Sequence, residues 1–366
     1  MHGRTSSMAL AASSSSFSVV SYQQHLASRG LNQRLRNGCG DVRNCVSFIC
    51  SEEGALKASS YDSGASCFLR GGRRRDRRRR RRRIVRGSAT MGEESETQHQ
   101  EGGFGNWIQF PKLSTAGRTL MEDVARSMDR ELEPLIHPSF TAPDVRHFTG
   151  DNGEGSVILR AGKEGSKIDY LLGSWLHCNL PFGTLNIATL IAMLNAEADS
   201  PHLLFEFIQS GPSNLVLVLD LLPRKDLVLE PEYLQRFYES TGLENIKQEF
   251  EKSPQAQPYL SRFLYIRSVV SPTALLYKLS GEGAEGGLDA VITQLVHPAA
   301  KNVFNTWLNA LQHLGHKLND NEKLHVMKRD KQIKTIGVEL DLNRNMPQLF
   351  GQEIADRVLK AFQKGE

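Results

Sequence analysis

Leu203–Leu222 reads LLFEFIQSGPSNLVLVLDLL. Two apolar runs flank Ser210, Gly211, Pro212, Ser213 and Asn214, a cluster of turn-forming residues, so the stretch predicts two strands joined by a tight turn. Side chains alternate across a strand, yet these two strands are apolar on both sides. A sheet with both faces covered explains that pattern better than one facing water.

Outward from the hairpin, Leu120, Val124, Met128 and Leu132 recur every four residues and predict an amphipathic helix over 118–135. Residues 156–161 and 168–178 read as strands, 186–196 as a short helix, and 230–252 as a helix. Strands follow at 263–270 and 273–279, a helical pair broken at Pro298 over 288–314, and a last helix near 352–362. Hairpin-linked strands with helices grouped toward the ends predict an α/β/α sandwich with a largely antiparallel central sheet. Residues 104–366 contain no Pro/Ser-rich linker and read as one domain.

Glu206 is the anomaly within the hairpin. Alternation sets it on the same side as Leu204 and Ile208. Burial disfavours the charged form of a carboxyl, and an acid that stays protonated near neutrality can donate a proton to a bound molecule. Two readings stay open: a general acid in a pocket, or a carboxyl that reaches water or an arginine.

Charge divides the chain. Residues 1–90 hold 18 of the 45 Lys and Arg but five acids, net +13, leaving 27 basic and 36 acidic residues, net −9, in the other 276. The first ninety residues are Ser-rich and acid-poor and end in an arginine run from Arg73 to Arg83 broken by Asp76. They are expected to be a disordered transit peptide, processed between about Val85 and Thr90, with 91–103 as an acidic, Gly-rich linker. A nuclear signal or nucleic-acid arm is the competing reading of the arginines. No run approaches the about 20 apolar residues of a membrane span.

Cys39, Cys45, Cys50 and Cys67 lie in the leader, and Cys178 alone lies beyond it. One thiol cannot hold an iron–sulfur cluster, a cysteine-based zinc site or an internal disulfide. His313 and His316 lack a neighbouring carboxylate pattern, so no metal site is expected. Gly281, Gly283 and Gly286 spell G-x-G-x-x-G, but Glu282 and Glu285 would stand where a pyrophosphate must approach, and no second strand follows the helix. A surface loop is the better reading.

Six collinear segments resemble the red chlorophyll catabolite reductase family: GSWLHC at 173–178, EFIQS at 206–210, LVLVLDL at 215–221, RKDLVL at 224–229, RSVVSPTA at 267–274 and PAAK at 298–301. The likeness runs from about Phe104 to the C-terminus. It implies kinship to ferredoxin-dependent bilin reductases, and reduction of one double bond of the open-chain tetrapyrrole that pheophorbide a oxygenase makes, yielding a primary fluorescent catabolite. It further implies reduced ferredoxin as external electron donor, no bound cofactor or metal, and a chloroplast stromal address. A homodimer is compatible with it. A non-catalytic tetrapyrrole binder or scaffold that shields cells from a phototoxic catabolite is the alternative.

By this likeness Glu206 is the acidic pocket residue. A second acid falls in Gly337–Leu342, as Glu339 or Asp341, on a strand or loop, with Asp341 favoured. Ile266, read in the strand before Arg267, resembles a pocket position that influences which face of the tetrapyrrole is protonated. Trp175, Leu204 and Ile208 are candidates for an apolar floor, although Trp175 also suits a core. Arg224, Lys225 and Arg267 are candidates for a substrate carboxylate. Because ferredoxin is acidic and the domain is itself near −9, docking needs a local basic patch, and Lys323, Lys328, Arg329, Lys331 and Lys334 form the densest one.

Overall fold

A computed structural model describes residues 107–363, apart from 182, 262 and 342–345. The expected transit peptide and linker therefore lie outside the described residues. Eight strands form one antiparallel sheet in the order β1-β2-β3-β4-β5-β6-β8-β7. They are β1 Phe148–Gly150, β2 Gly153–Ala161, β3 Ile168–Leu180, β4 Gly183–Leu194, β5 His202–Ser210, β6 Asn214–Leu222, β7 Ala256–Pro258 and β8 Leu275–Ser280. Every neighbouring pair runs antiparallel.

Helices cover both faces, as the doubly apolar hairpin requires. One face is closed by α1 Thr115–Leu132, α3 Pro231–Leu234, α4 Leu243–Lys252, α6 Gly287–Val291 and α7 His297–Asn309. The other receives α2 Pro143–Arg146, α5 Leu264–Val269, α8 Asp320–Asp341, α9 Met346–Phe350 and α10 Gln352–Gln363. No described helix is long and apolar enough to cross a membrane.

Residue chemistry accounts for the closed face. Ser114 caps α1, its Oγ accepting from the Gly117 amide at 3.3 Å. Leu120, Val124, Met128 and Leu132 are then buried on the sheet. A Cβ at Gly117 would come within 2.9 Å of the Phe207 ring, so glycine is what lets helix and strand approach.

Five expected elements differ. Residues 186–196 are not a helix but most of β4, because β3 and β5 supply ladders on both sides that outweigh the helix preference of Ala, Leu and Met. The expected strand at 263–270 is the short helix α5. Pro298 does not break its helix: a π-turn at Ile292–Val296 widens the backbone just before it and absorbs the missing N–H. The stretch from Gly337 to Asp341 is the end of α8 rather than strand or loop. The 230–252 helix is also interrupted, at 240–242.

The glycine loop makes a turn into α6. Gly283 and Gly286 have φ of 74° and 82°, and a Cβ at Gly281 would lie 2.2 Å from the Leu288 amide nitrogen. The turn itself demands these glycines.

Candidate functional site

On the face opposite α1, the sheet and α5, α8, α9 and α10 enclose a mostly apolar cavity of about 210 Å³. Strand register organises its floor. Val157 pairs with Ser174, Ser174 with Thr189, Thr189 with Glu206, Glu206 with Val218, and Val218 with Leu276. All six line the cavity, so one row crosses the sheet at right angles to the strands. Its centre is polar (Ser174, Thr189, Glu206) and both ends are aliphatic. Directly opposed residues sit about 5 Å apart at Cβ, close enough for the three polar groups to act on one ligand.

Glu206 is 6% exposed, with Leu204 and Ile208 beside it on the same strand face. Ile266 lines the roof from α5, a helix rather than the expected strand, together with Tyr265 and Val269. Trp175 is not part of the floor. Alternation along β3 turns it to the closed face, where it joins the larger apolar cluster. Glu339 and Asp341 stand on helical backbone at the end of α8, and their side chains lie outside the described residues.

The expected carboxylate binders are placed elsewhere. Arg224 is fully buried: Nε and Nη2 donate to Asp330, Nη1 to the Ala198 carbonyl at 2.6 Å and Nη2 to the Asn195 carbonyl at 2.9 Å. Lys225 pairs with Glu322 at 2.8 Å, and Arg267 is exposed. The basic stretch of α8 divides as well. Lys328 and Lys331 face solvent, whereas Lys323 pairs with Glu197 at 3.1 Å and Arg329 donates to the Pro223 carbonyl at 2.7 Å. Lys334 lines the cavity.

Two buried carboxylates flank the site without touching the cavity. Asp330 accepts from His202 Nε2 at 2.9 Å and from Arg224 Nη2 at 2.6 Å, fixing α8 to the sheet. Burial by itself would raise this carboxyl; His202 and Arg224 outweigh it and hold it at about 2. Burial lowers His202, against the pull of Asp330, and its Nδ1 accepts from the Leu194 amide at 3.0 Å. Asp220, on the cavity side of β6, accepts from the Ser271 amide at 2.8 Å and hydroxyl at 2.5 Å. Burial raises it to about 6, with the Ser271 bonds opposing. It ties the segment after α5 to the sheet, so two of the recognised sequence segments meet here.

Sequence reasoning missed Ser174, Thr189 and Asp330. Thr189 was unreachable while 186–196 read as helix. The only signal for Ser174 was its parity with Leu172 and Leu176.

An antiparallel α/β/α sandwich with a mostly apolar cavity on one sheet face, in which Glu206 is the one acid among the described lining residues, defines the fold class. Phytochromobilin synthase from tomato, solved in complex with biliverdin, shares this fold, with a TM-score of 0.50 over 68% of this chain and 82% of that one at 15% identity. The family model for red chlorophyll catabolite reductase matches residues 116–364. The chain is 38% identical to red chlorophyll catabolite reductase 1, chloroplastic, of Oryza sativa subsp. japonica, covering 69% of this chain and 78% of that protein. It is 37% identical to red chlorophyll catabolite reductase, chloroplastic, of Arabidopsis thaliana (70% and 82%) and 38% identical to red chlorophyll catabolite reductase of Hordeum vulgare (54% and 97%). The chain belongs to the red chlorophyll catabolite reductase family, and so to the reductases of chlorophyll catabolism.

Proposed function

We propose that this protein reduces one double bond of red chlorophyll catabolite, giving primary fluorescent chlorophyll catabolite, with two electrons from reduced ferredoxin and two protons. The observation that carries this reading is the cross-strand row with Glu206 at its polar centre under an apolar roof. The apolar walls suit a flat conjugated ligand. Each electron arrives singly, and the first makes an anionic radical that needs a nearby proton before the electron returns to the donor. Glu206 supplies that proton, and Glu339 or Asp341 supplies the second. Ile266, Leu204 and Ile208 hold the ring system. The protein itself binds no redox cofactor.

Exposed Lys328 and Lys331 dock the acidic ferredoxin, and Arg267 lies outside the substrate set. The protein works in the chloroplast stroma beside pheophorbide a oxygenase, its substrate's source, as a monomer or homodimer. The names of the rice and Arabidopsis relatives support the chloroplast as its compartment.

The test is an anaerobic assay with purified protein, reduced ferredoxin and red catabolite. Fluorescent product over many turnovers is expected. Stoichiometric binding without product would make the protein a tetrapyrrole carrier, and turnover with NADPH alone would make it a nicotinamide enzyme.

A further inference from the structure

Among the described residues lining the cavity, Lys334 is the single cation and Glu206 the single anion. How Lys334 is held distinguishes it from the solvated lysines of α8. It stands one turn beyond Asp330, which His202 and Arg224 clamp at full burial, so this part of α8 is fixed relative to the sheet. Its ammonium pairs with Asp169 and lies 5.2 Å from the Tyr170 ring centroid.

Asp169 occupies a special position. The β3–β4 register shifts between Ile168 and Tyr170, a β-bulge. Ile168 packs into the closed-face cluster, whereas Tyr170, past the bulge, lines the cavity. The bulge turns the Tyr170 ring inward and presents Asp169 to Lys334. A lysine ammonium has three donors. Asp169 takes one, leaving two for a ligand in the cavity without loss of the ion pair.

We propose that Lys334 anchors a carboxylate of the bound molecule, and that this contact sets which end of an elongated conjugated acid enters first. The proposal rests on the tetrapyrrole reading above. Tyr170 pairs with Met193, four residues along β4 from Thr189, which pairs with Glu206 on the next strand. Four residues of rise and two strand spacings separate anchor and acid by about 16 Å of sheet. A short acid cannot reach both. A long one held at Lys334 has a defined bond over Glu206, so the anchor selects the site of reduction.

The test compares equilibrium binding of red catabolite with that of its methyl ester, by absorbance titration, in wild type, Lys334→Met and Lys334→Arg. Wild type is expected to prefer the free acid by about tenfold, the scale of one charge-assisted contact. Lys334→Met should lose that preference by binding the acid more weakly while the ester is little changed, and Lys334→Arg should keep it. Equal binding of acid and ester by wild type would overturn the anchor alone, as would a preference retained in Lys334→Met, the result expected if Lys334 merely ties α8 to β3. Failure of wild type to bind either compound would overturn the tetrapyrrole reading and the anchor with it.

Discussion

Glu206 and Phe207 are neighbours in sequence and opposites in use. Phe207 is fully buried on the closed face, in a cluster that α1, α4, α6 and α7 fill with aliphatic and aromatic side chains. Glu206 points the other way, into a cavity that α5, α8, α9 and α10 roof without filling. The same strands thus build a sealed core on one side and the floor of a cavity on the other, and parity along the strand, reset at the bulge between Ile168 and Tyr170, assigns a residue to either. One face supplies stability and the other spends some of it on a cavity and buried polar groups.

The sharpest way to break this comparison is to truncate each face. Phe207→Ala should cost about 3–5 kcal/mol, as an aromatic lost from a close-packed core. Leu204→Ala, beside the existing cavity, should cost about 1–2 kcal/mol, since part of its surface already lacks neighbours. Urea unfolding measures both, and equal costs would mean that the two faces are packed alike.

The polar groups on the two flanks should differ in the sign of their pH dependence. Asp330 is held at about 2, below its ordinary 3.8, so its contribution is full above pH 4 and is lost as pH falls toward 2. His202 is lowered from 6.5, so its neutral form is favoured in the fold and acidification below that value also destabilises. Asp330→Asn, which leaves the buried Arg224 without its counter-ion, should cost about 3 kcal/mol at pH 7. Asp220 runs the other way. Raised from 3.8 to about 6, its neutral form is the one the fold favours, and its ionisation removes roughly 3 kcal/mol as pH rises from 4 through 6. In Asp220→Asn the slope of stability against pH in that window should become more positive. An unchanged slope would show that Asp220 does not titrate there.

The smallest effect is expected at the surface. Lys328→Gln with Lys331→Gln should raise the ferredoxin concentration for half-maximal turnover about two- to fivefold at low salt, and little at high salt, where exposed charges are screened. An unchanged ferredoxin dependence at low salt would remove α8 from the docking surface.

The hairpin at the centre of the sheet was legible because its apolar runs and turn residues are contiguous, and Glu206 stood out because it interrupts them. β4 was not, since Ala188, Leu190, Ala192 and Met193 favour helix locally and only the ladders from β3 and β5 make them extended. The same error hid Thr189 and with it the polar row. The aromatic and β-branched residues of Phe263–Val270 suggested strand, yet α5 is a short helix over the cavity. Lys334 read as one charge in a basic run because its neighbours Asp169 and Tyr170 lie more than 160 positions away in sequence, joined to it only by the fold. Trp175 and Arg224 show the converse: plausible ligand groups whose partners, hidden in the sequence, hold them in the core.

The central claim is that the open face does proton chemistry through Glu206. Glu206→Gln keeps size and hydrogen bonding but cannot act as an acid. Anaerobic, ferredoxin-driven turnover should fall by about 100-fold or more, the scale of a lost general acid, while urea stability and tetrapyrrole binding stay near wild type. Turnover at the wild-type rate in that variant would contradict the account, because the proton would then come from water or the substrate and the carboxylate at the centre of the row would be structural.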